Sequence, residues 1–193
     1  NTITLLAGKA GSGKTLLACQ VALDGLFRRH YEKIIITRPT VSKEDIGFLP
    51  GDLHQKMDPW VQPINQNMYS LYGKDRVQPF IESGQIEIVP VSFMRGRTFV
   101  DSCVIVDEAQ NVTNEQMEMI VTRIGLRSKM IVCGDDGQVD LKGRSHSGFR
   151  FLYNQASKIK RLASITLLEN HRDPIVDDLI EIYENEKYKR SKK

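Results

Sequence analysis

The sequence has few cysteines, a single tryptophan and no long hydrophobic run among its 193 residues. A membrane-spanning helix needs roughly 20 consecutive apolar residues, and the N-terminus lacks the charged-then-apolar pattern of a secretory signal. We therefore expect a soluble, cytoplasmic protein with no membrane partner. Cys19, Cys103 and Cys133 lie in apolar segments without the C-x-x-C spacing of zinc or redox sites, which predicts reduced cysteines in the core.

The length and composition favour a single domain over residues 1–193. Hydrophobic residues make up 40% and charged residues 26% of the chain, which is ordinary globular usage, and one core can grow to roughly 250 residues. The net charge is only +3, and we expect the basic tail at 187–193 to be solvated. An apolar run begins two residues into the chain, so we expect a further segment to precede it.

Apolar runs of strand length alternate with segments of helical patterning. The runs that predict strands are 3–7, 33–37, 86–91, 103–107, 129–134 and 164–168. The segments that predict helices are 14–29, 60–72, 114–124, 148–160 and 174–189. Most of the strand-length runs are continuously apolar, which is typical of parallel strands covered on both faces. The alternation predicts a doubly wound α/β fold, with its ligand beyond the carboxyl ends of the strands.

A stretch rich in proline and glycine interrupts this alternation between residues 38 and 63. It contains Pro39, Pro50, Pro59 and Pro63. We interpret it as a long connection within the domain, and ordered connections of this length are often functional.

The segment 8–15, GKAGSGKT, matches the phosphate-binding pattern G-x-x-x-x-G-K-[ST] between a predicted strand and a predicted helix. Its glycines allow successive backbone amides to point at phosphate oxygens, and the helix N-terminus adds its positive dipole. Lys14 is expected to reach the β and γ phosphates and Thr15 to coordinate Mg²⁺. The residues expected to bind the nucleotide are Gly8, Lys9, Ala10, Gly11, Ser12, Gly13, Lys14, Thr15 and Leu16.

Two carboxylates, Asp107 and Glu108, lie at the end of the predicted strand 103–107, where a parallel sheet would bring them beside the phosphate loop. We expect Asp107 to hold Mg²⁺, directly or through water, and Glu108 to act as the general base on the attacking water. A solvent-exposed acidic turn is the alternative interpretation.

Two later elements add catalytic candidates. Gln138, in a G-D-x-x-Q pattern, could sense the γ phosphate or position water, although a polar turn would have the same composition. Arg172 is expected to stabilise charge during phosphoryl transfer. The segment 170–173 also superficially matches the N-K-x-D element of GTPases, but His171 replaces its lysine, which favours ATP.

The chain resembles the PhoH-like ATPases, a family related to the nucleotide-binding lobe of superfamily 1 helicases. The segments that carry the resemblance are 8–15, 37–39, 47–53, 57–60, 95–98, 107–111 and 122–125. The resemblance implies a RecA-like P-loop NTPase fold, a three-layer α/β/α sandwich around a mostly parallel sheet. It also implies ATP binding and hydrolysis, and action on RNA or single-stranded nucleic acid. In relatives a glutamine upstream of the first strand holds adenine, and residues 1–193 do not include that segment.

The same similarity places Arg38 where helicase relatives contact single-stranded nucleic acid, and Arg172 at their phosphate-sensing arginine. Lys43 and the region of Trp60 could also bind RNA by charge and stacking, or lie in an ordinary solvated connection. The resemblance covers only one of the two lobes of a helicase. We therefore expect a homo-oligomeric ring, with a hexamer as one candidate, in which a neighbour's Arg95 or Arg97 completes the site. A surface turn pairing with acidic neighbours is the alternative for these two arginines.

Three function classes remain open from the residues. The first is an ATPase that remodels nucleic acid, the second a nucleotide-controlled binding switch that turns over slowly, and the third a small-molecule kinase. The kinase would need an arginine-rich lid, for which Arg95 and Arg97 are the nearby candidates. The sequence leaves the choice of RNA or DNA, and any unwinding or translocation, undetermined.

Overall fold

The computed structural model describes residues 1–39, 53–135, 147–171, 173–176, 178–179 and 181–183, and for residues 53–60 it describes the backbone alone. The strands of these residues are β1 (Ile3–Gly8), β2 (Lys33–Arg38), β3 (Ile86–Pro90), β4 (Ser102–Val106), β5 (Lys129–Gly134) and β6 (Leu162–Leu167). The helices are α1 (Lys14–Phe27), α2 (Leu53–Tyr72), α3 (Lys74–Glu82), α4 (Asn114–Val121) and α5 (Gly148–Gln155).

The six strands form one parallel sheet in the order β3-β2-β4-β5-β1-β6. Parallel strands end at the same edge, so the segments after β1, β2, β4 and β5 come together there. Strand β5 lies between β1 and β4, and β2 lies on the far side of β4. The predicted α/β fold with a mostly parallel sheet is confirmed.

Side chains of the sheet alternate between two cores. Leu5, Ile35, Val104 and Val132 face a core with α4 and α5, whereas the adjacent residues in each strand face a core with α1, α2 and α3. Both faces of the central strands are therefore buried, which explains why these strands are continuously apolar instead of alternating with polar residues. This burial holds the central strands in place, and with them the segments that leave their carboxyl ends.

The helices depart from the sequence prediction in two places. Helix α2 begins at Leu53, so the predicted long connection is helical from that residue on, through Pro59 and Pro63. Burial of Ile64 and Met68 one turn apart stabilises it, and tertiary packing outweighs the local cost of proline. Helix α3 was not predicted, because it is short, contains Pro79 and buries only Val77.

Among the described residues, none of the helices combines the length and the hydropathy that a membrane span requires.

All three cysteines are free and buried in the core that contains α1. Burial raises the pKa of Cys19 and of Cys103 to about 12, and it raises that of Cys133 well above its ordinary value. A thiol must ionise to react.

We predict that a maleimide reagent leaves all three cysteines of the native protein unlabelled in a time that labels them completely in guanidinium. Mass spectrometry measures the adducts, and rapid labelling of a native cysteine would contradict this packing.

Candidate active site

The loop between β1 and α1 packs closely against itself and against β6 at Gly8. Gly8 lies so close to its surroundings that an added Cβ would be 2.6 Å from Ser12 Oγ and 2.8 Å from the Leu167 carbonyl oxygen. Ser12 Oγ is buried and has no hydrogen-bond partner among the described residues. Buried hydroxyls are normally satisfied, so an unpaired one beside a tight glycine fits a loop shaped for a polar ligand.

Lys14 crosses this loop with its ammonium group. Its Nζ donates to the carbonyl oxygens of Gly8 and Lys9, at 2.8 Å each. A charged donor held by neutral carbonyls would form stronger hydrogen bonds with phosphate oxygens. The loop thus holds its cation in place where an anion would bind.

Helix α1 begins without a side-chain cap. Its N-cap, Gly13, has φ of 78° and ψ of 13°, a left-handed conformation that favours glycine, and makes no side-chain capping bond. The first amides of α1, including those of Thr15 and Leu16, are among the N–H groups that a helix leaves unsatisfied. These amides and the helix dipole favour an anion at this end.

Thr15 and Asp107 meet across strand β5. The Thr15 hydroxyl donates to Asp107 Oδ1 at 2.8 Å, although 92 positions separate them in sequence. The Asp107 amide also donates to the Thr37 carbonyl oxygen at 2.8 Å, which fixes the end of β4 against β2. The two residues predicted to hold a metal are therefore neighbours.

Asp107 is nearly inaccessible, with 4% of its surface exposed. Burial raises its pKa, the Thr15 hydrogen bond lowers it, and the charge of Glu108 raises it further. The net direction is upward, because the ionised carboxylate has lost more solvation than its partners restore. A divalent cation bound to Asp107 would stabilise the ionised carboxylate.

These groups fit a nucleotide with Mg²⁺. A hydroxyl and a carboxylate are the oxygen ligands that Mg²⁺ prefers, and in phosphate sites Mg²⁺ takes one or two carboxylates plus substrate oxygens. The described residues contain no cluster of three or more His, Cys, Asp or Glu that could hold a metal. A metal here would accordingly depend on the phosphates for the remaining ligands.

Glu108 has a strained backbone and two side-chain partners. Its φ of 50° and ψ of 38° lie in the left-handed region, which is uncommon outside glycine. Arg38 Nη2 donates to its Oε1 at 3.4 Å, and Gln110 Nε2 donates to its Oε2 at 2.6 Å. Both oxygens of the proposed base are therefore held, one from the end of β2 and one from the turn after β4.

Gln110 joins the ends of two strands. It is buried, and while its Nε2 binds Glu108, its Oε1 accepts from the Asp135 amide just after β5 at 3.0 Å. Sequence reasoning did not assign this bridge, because the adjacency of β4 and β5 has no local signal. The contact of Arg38 with Glu108 was missed for the same reason.

The segment after β6 closes the other side of the loop. The His171 amide donates to the Gly11 carbonyl oxygen at 3.2 Å. A cavity of about 280 Å³ lies there, and its lining residues are Ser12, Thr166, Leu167, Leu168, Glu169 and His171. No sequence pattern identified this cavity.

Arg95 and Arg97 are not brought to the phosphate loop of their own chain. They follow β3, an edge strand separated from β1 by β2, β4 and β5. Arg97 Nη2 pairs with Glu87 at 2.8 Å, and its guanidinium lies over the Phe99 ring. Arg95 is exposed. Lys43, Gln138 and Arg172 lie outside the described residues.

The family assignment follows from the sequence comparison. A profile of the family described as PhoH-like protein matches residues 1–184. The chain belongs to the PhoH family. This PhoH-family chain is 40% identical over 185 residues to a PhoH-like protein of Synechocystis and 42% identical over 189 residues to one of Bacillus subtilis. It is also 43% identical over 137 residues to Protein PhoH of Escherichia coli.

The PhoH-family chain spans only part of these relatives. The matches cover 94% and 96% of it but 56% and 59% of the Synechocystis and Bacillus proteins, and 69% of it but 39% of the E. coli protein. Among solved structures, the Sulfolobus solfataricus SWI2/SNF2 ATPase core in complex with dsDNA matches with a TM-score of 0.41 and 15% identity, over 84% of this chain and 40% of that one.

The burial of Asp107 predicts that the substitution Asp107→Asn raises the Tm in the absence of Mg²⁺ and removes most of the stabilisation by Mg²⁺ with ATP. A carboxylate with a raised pKa in the fold costs stability once it ionises, as the pH rises through its folded pKa. Asp107→Asn keeps an acceptor for Thr15 and removes that charge. We expect the Tm of Asp107→Asn in EDTA at pH 7.5 to exceed that of the wild type, by about 2–4 °C for each kcal/mol gained in the free energy of unfolding. Addition of Mg²⁺ with ATP should raise the Tm of this variant only slightly.

Differential scanning fluorimetry measures both quantities, and Asp101→Asn is the control. Asp101 pairs with Arg127 at the surface, so its substitution should not raise the Tm in EDTA and should preserve the gain with Mg²⁺ and ATP. A Tm of Asp107→Asn below that of the wild type in EDTA would contradict the cost assigned to the buried charge.

Proposed function

We propose that this PhoH-family chain is a Mg²⁺-dependent ATPase. The observation that carries the proposal is the hydrogen bond of Thr15 to Asp107 beside a loop in which Lys14 binds the loop's own carbonyls. This arrangement supplies an anion cradle and two oxygen ligands within one small volume. It suits phosphoryl transfer, whose catalysis is mainly positioning and charge stabilisation.

Each residue then has a defined task. Lys14 and the first amides of α1 bind the β and γ phosphates, and Thr15 and Asp107 hold the metal, which when bound would neutralise phosphate charge. A water oxygen bonds to the γ phosphorus, the bond to the β–γ bridging oxygen breaks, and ADP leaves with that electron pair. Glu108 accepts the proton of the water.

The cavity beside β6 is the proposed place for the nucleoside end of ATP. It adjoins the loop at Ser12, and its lining combines the imidazole of His171, the carboxylate of Glu169 and apolar side chains. Ligand sites commonly combine apolar walls with a few polar groups that set orientation. Competition by GTP tests the predicted preference for adenine.

Single-stranded nucleic acid, RNA in particular, is the proposed macromolecular partner. Arg38 ends β2 at the same edge of the sheet as the phosphate loop, and its side chain is 29% exposed. A guanidinium in this position can pair with a backbone phosphate. Binding there would lie directly beside Glu108, which gives a physical route from polymer to hydrolysis.

A homo-oligomeric ring, with six subunits as one possible number, is the proposed assembly. An arginine supplied in trans can stabilise charge during phosphoryl transfer. Arg95 is the better candidate, because it is exposed, whereas Arg97 would first have to leave Glu87 and the Phe99 ring.

Phosphate release measures the proposed ATPase directly. We predict turnover that requires Mg²⁺, and that Glu108→Gln lowers kcat by about 10²–10⁴-fold, the usual contribution of a general base, while the affinity for ATP is kept. Lys14→Ala should lose affinity for ATP. Wild-type turnover in Glu108→Gln would refute the assignment of the base.

The same assay separates the function classes. Stimulation by oligouridylate or oligodeoxythymidylate favours an ATPase acting on nucleic acid, and transfer of phosphate to a nucleoside monophosphate favours a kinase. The slow switch is the second candidate, because both oxygens of Glu108 are already held. Tight ATP binding with negligible turnover under every condition would support it.

Subunit mixing tests the shared site. We predict that Arg95→Ala and Lys14→Ala proteins, each impaired alone, recover part of the turnover when mixed, because a mixed ring contains some sites with both residues intact. The matched mixture of Arg97→Ala with Lys14→Ala shows which arginine acts. Absence of recovery at every ratio, with mixed oligomers verified by mass spectrometry, would argue against a residue supplied in trans.

A further inference from the structure

The two side chains that hold Glu108 approach from opposite sides of β4. Arg38 belongs to β2, on the side of β4 away from the phosphate loop, whereas Gln110 connects through the Asp135 amide to β5, on the side toward it. The Arg38 contact therefore draws Oε1 toward β2 and away from β1. The Gln110 contact fixes Oε2 and leaves Oε1 as the oxygen that can change partner.

The strength of the two contacts differs. Gln110 is buried and its bond to Oε2 is 2.6 Å long, whereas Arg38 lies 3.4 Å from Oε1, and the side chains of Arg38 and Glu108 are 29% and 36% exposed. Partly exposed ion pairs contribute little. Of the two, the Arg38 contact is the one that an incoming ligand can break.

We propose that Arg38 is a positioning residue that restrains Glu108 in the resting site, and that a nucleic-acid phosphate releases the glutamate by taking over the guanidinium. This regulation rests on the proposed function, with Glu108 as the base for ATP hydrolysis. The guanidinium can pair with two phosphate oxygens at once, so the strand replaces the charge partner that Glu108 gives up. Oε1 then becomes available to the attacking water.

The backbone on both sides of the contact is fixed, so the release needs only side-chain motion. Arg38 is the last residue of the β2–β3 ladder, in register with Pro90, and the Asp107 amide beside Glu108 is bonded to the Thr37 carbonyl oxygen. Rotation of two partly exposed side chains is fast compared with ordinary turnover. Polymer binding can therefore change the rate without rearranging the sheet.

Steady-state phosphate release by the full chain, with and without oligouridylate, tests the proposal. Arg38→Ala should raise kcat without polymer by up to about fivefold, the factor that corresponds to about 1 kcal/mol at 25 °C, with little change in KM for ATP. It should also lose stimulation by the oligonucleotide and bind it more weakly in fluorescence anisotropy. Arg38→Lys, which keeps a cation near Oε1, should restore part of the restraint.

Lys33→Ala is the matched control. Lys33 begins the strand that Arg38 ends, and it pairs with Glu87 at 3.1 Å, remote from Glu108. Its basal rate and its stimulation by polymer should equal those of the wild type. If it raised the basal rate as Arg38→Ala does, loss of any cation on β2 would explain the effect and the proposal would be overturned.

The direction in which Arg38→Ala changes the basal kcat shows whether Arg38 restrains Glu108 or supports its activity. A folded Arg38→Ala protein, with wild-type Tm, whose basal kcat is unchanged or lower overturns the proposal, because a merely structural role lowers activity. An elevated rate that persists in the Arg38→Ala, Glu108→Gln double variant also overturns it. Equal turnover of wild type and Glu108→Gln would instead refute the proposed function, whatever Arg38→Ala does.

Discussion

The hydrogen bond between Thr15 and Asp107 is the contact on which the organisation of the site depends. It joins the first turn of α1 to the end of β4 across an intervening strand, and it does so in the interior, where an unpaired carboxylate would be costly. Because Asp107 is held there, Glu108 must follow at a fixed place, and the strained backbone of Glu108 directs the chain into the turn that carries Gln110. This bond therefore helps to hold the phosphate loop, the two residues proposed to bind the metal and the proposed base in fixed relative positions.

Much of the fold could be predicted because the central strands of the sheet are buried on both faces. Each of the six strands lies within about two residues of an apolar run in the sequence, since a central parallel strand has no solvent face to mark with polar residues. Helix α3 was missed because it is short, contains Pro79 and buries only Val77 fully. The start of α2 was misplaced because Pro59 and Pro63 suggest a loop locally, whereas burial of Ile64 and Met68 favours the helix.

The candidate site, like the fold, could be predicted only in part from the sequence. The phosphate loop could be proposed because its residue types and their spacing are sufficient to indicate phosphate binding. Asp107 and Glu108 could be proposed because they lie at the end of an apolar run. The contacts of Glu108 with Arg38 and of Gln110 with the Asp135 amide could not, because they depend on which strands are neighbours. Strand order in a parallel sheet is set by crossover packing and has no residue-level signature. Arg97 is similar, since its partner Glu87 is identified only once β3 is placed at the sheet edge.

The bonds of Lys14 to the carbonyls of Gly8 and Lys9 have a consequence for affinity. The loop carries an internal substitute for its ligand, so phosphate binding is an exchange in which two existing hydrogen bonds are broken before new ones form. The affinity for a phosphate ligand would then be a difference between two well-bonded states, smaller than a sum of contacts in the loaded site would suggest. In the proposed ATPase, the same two carbonyls would be available to the lysine again once the product has left.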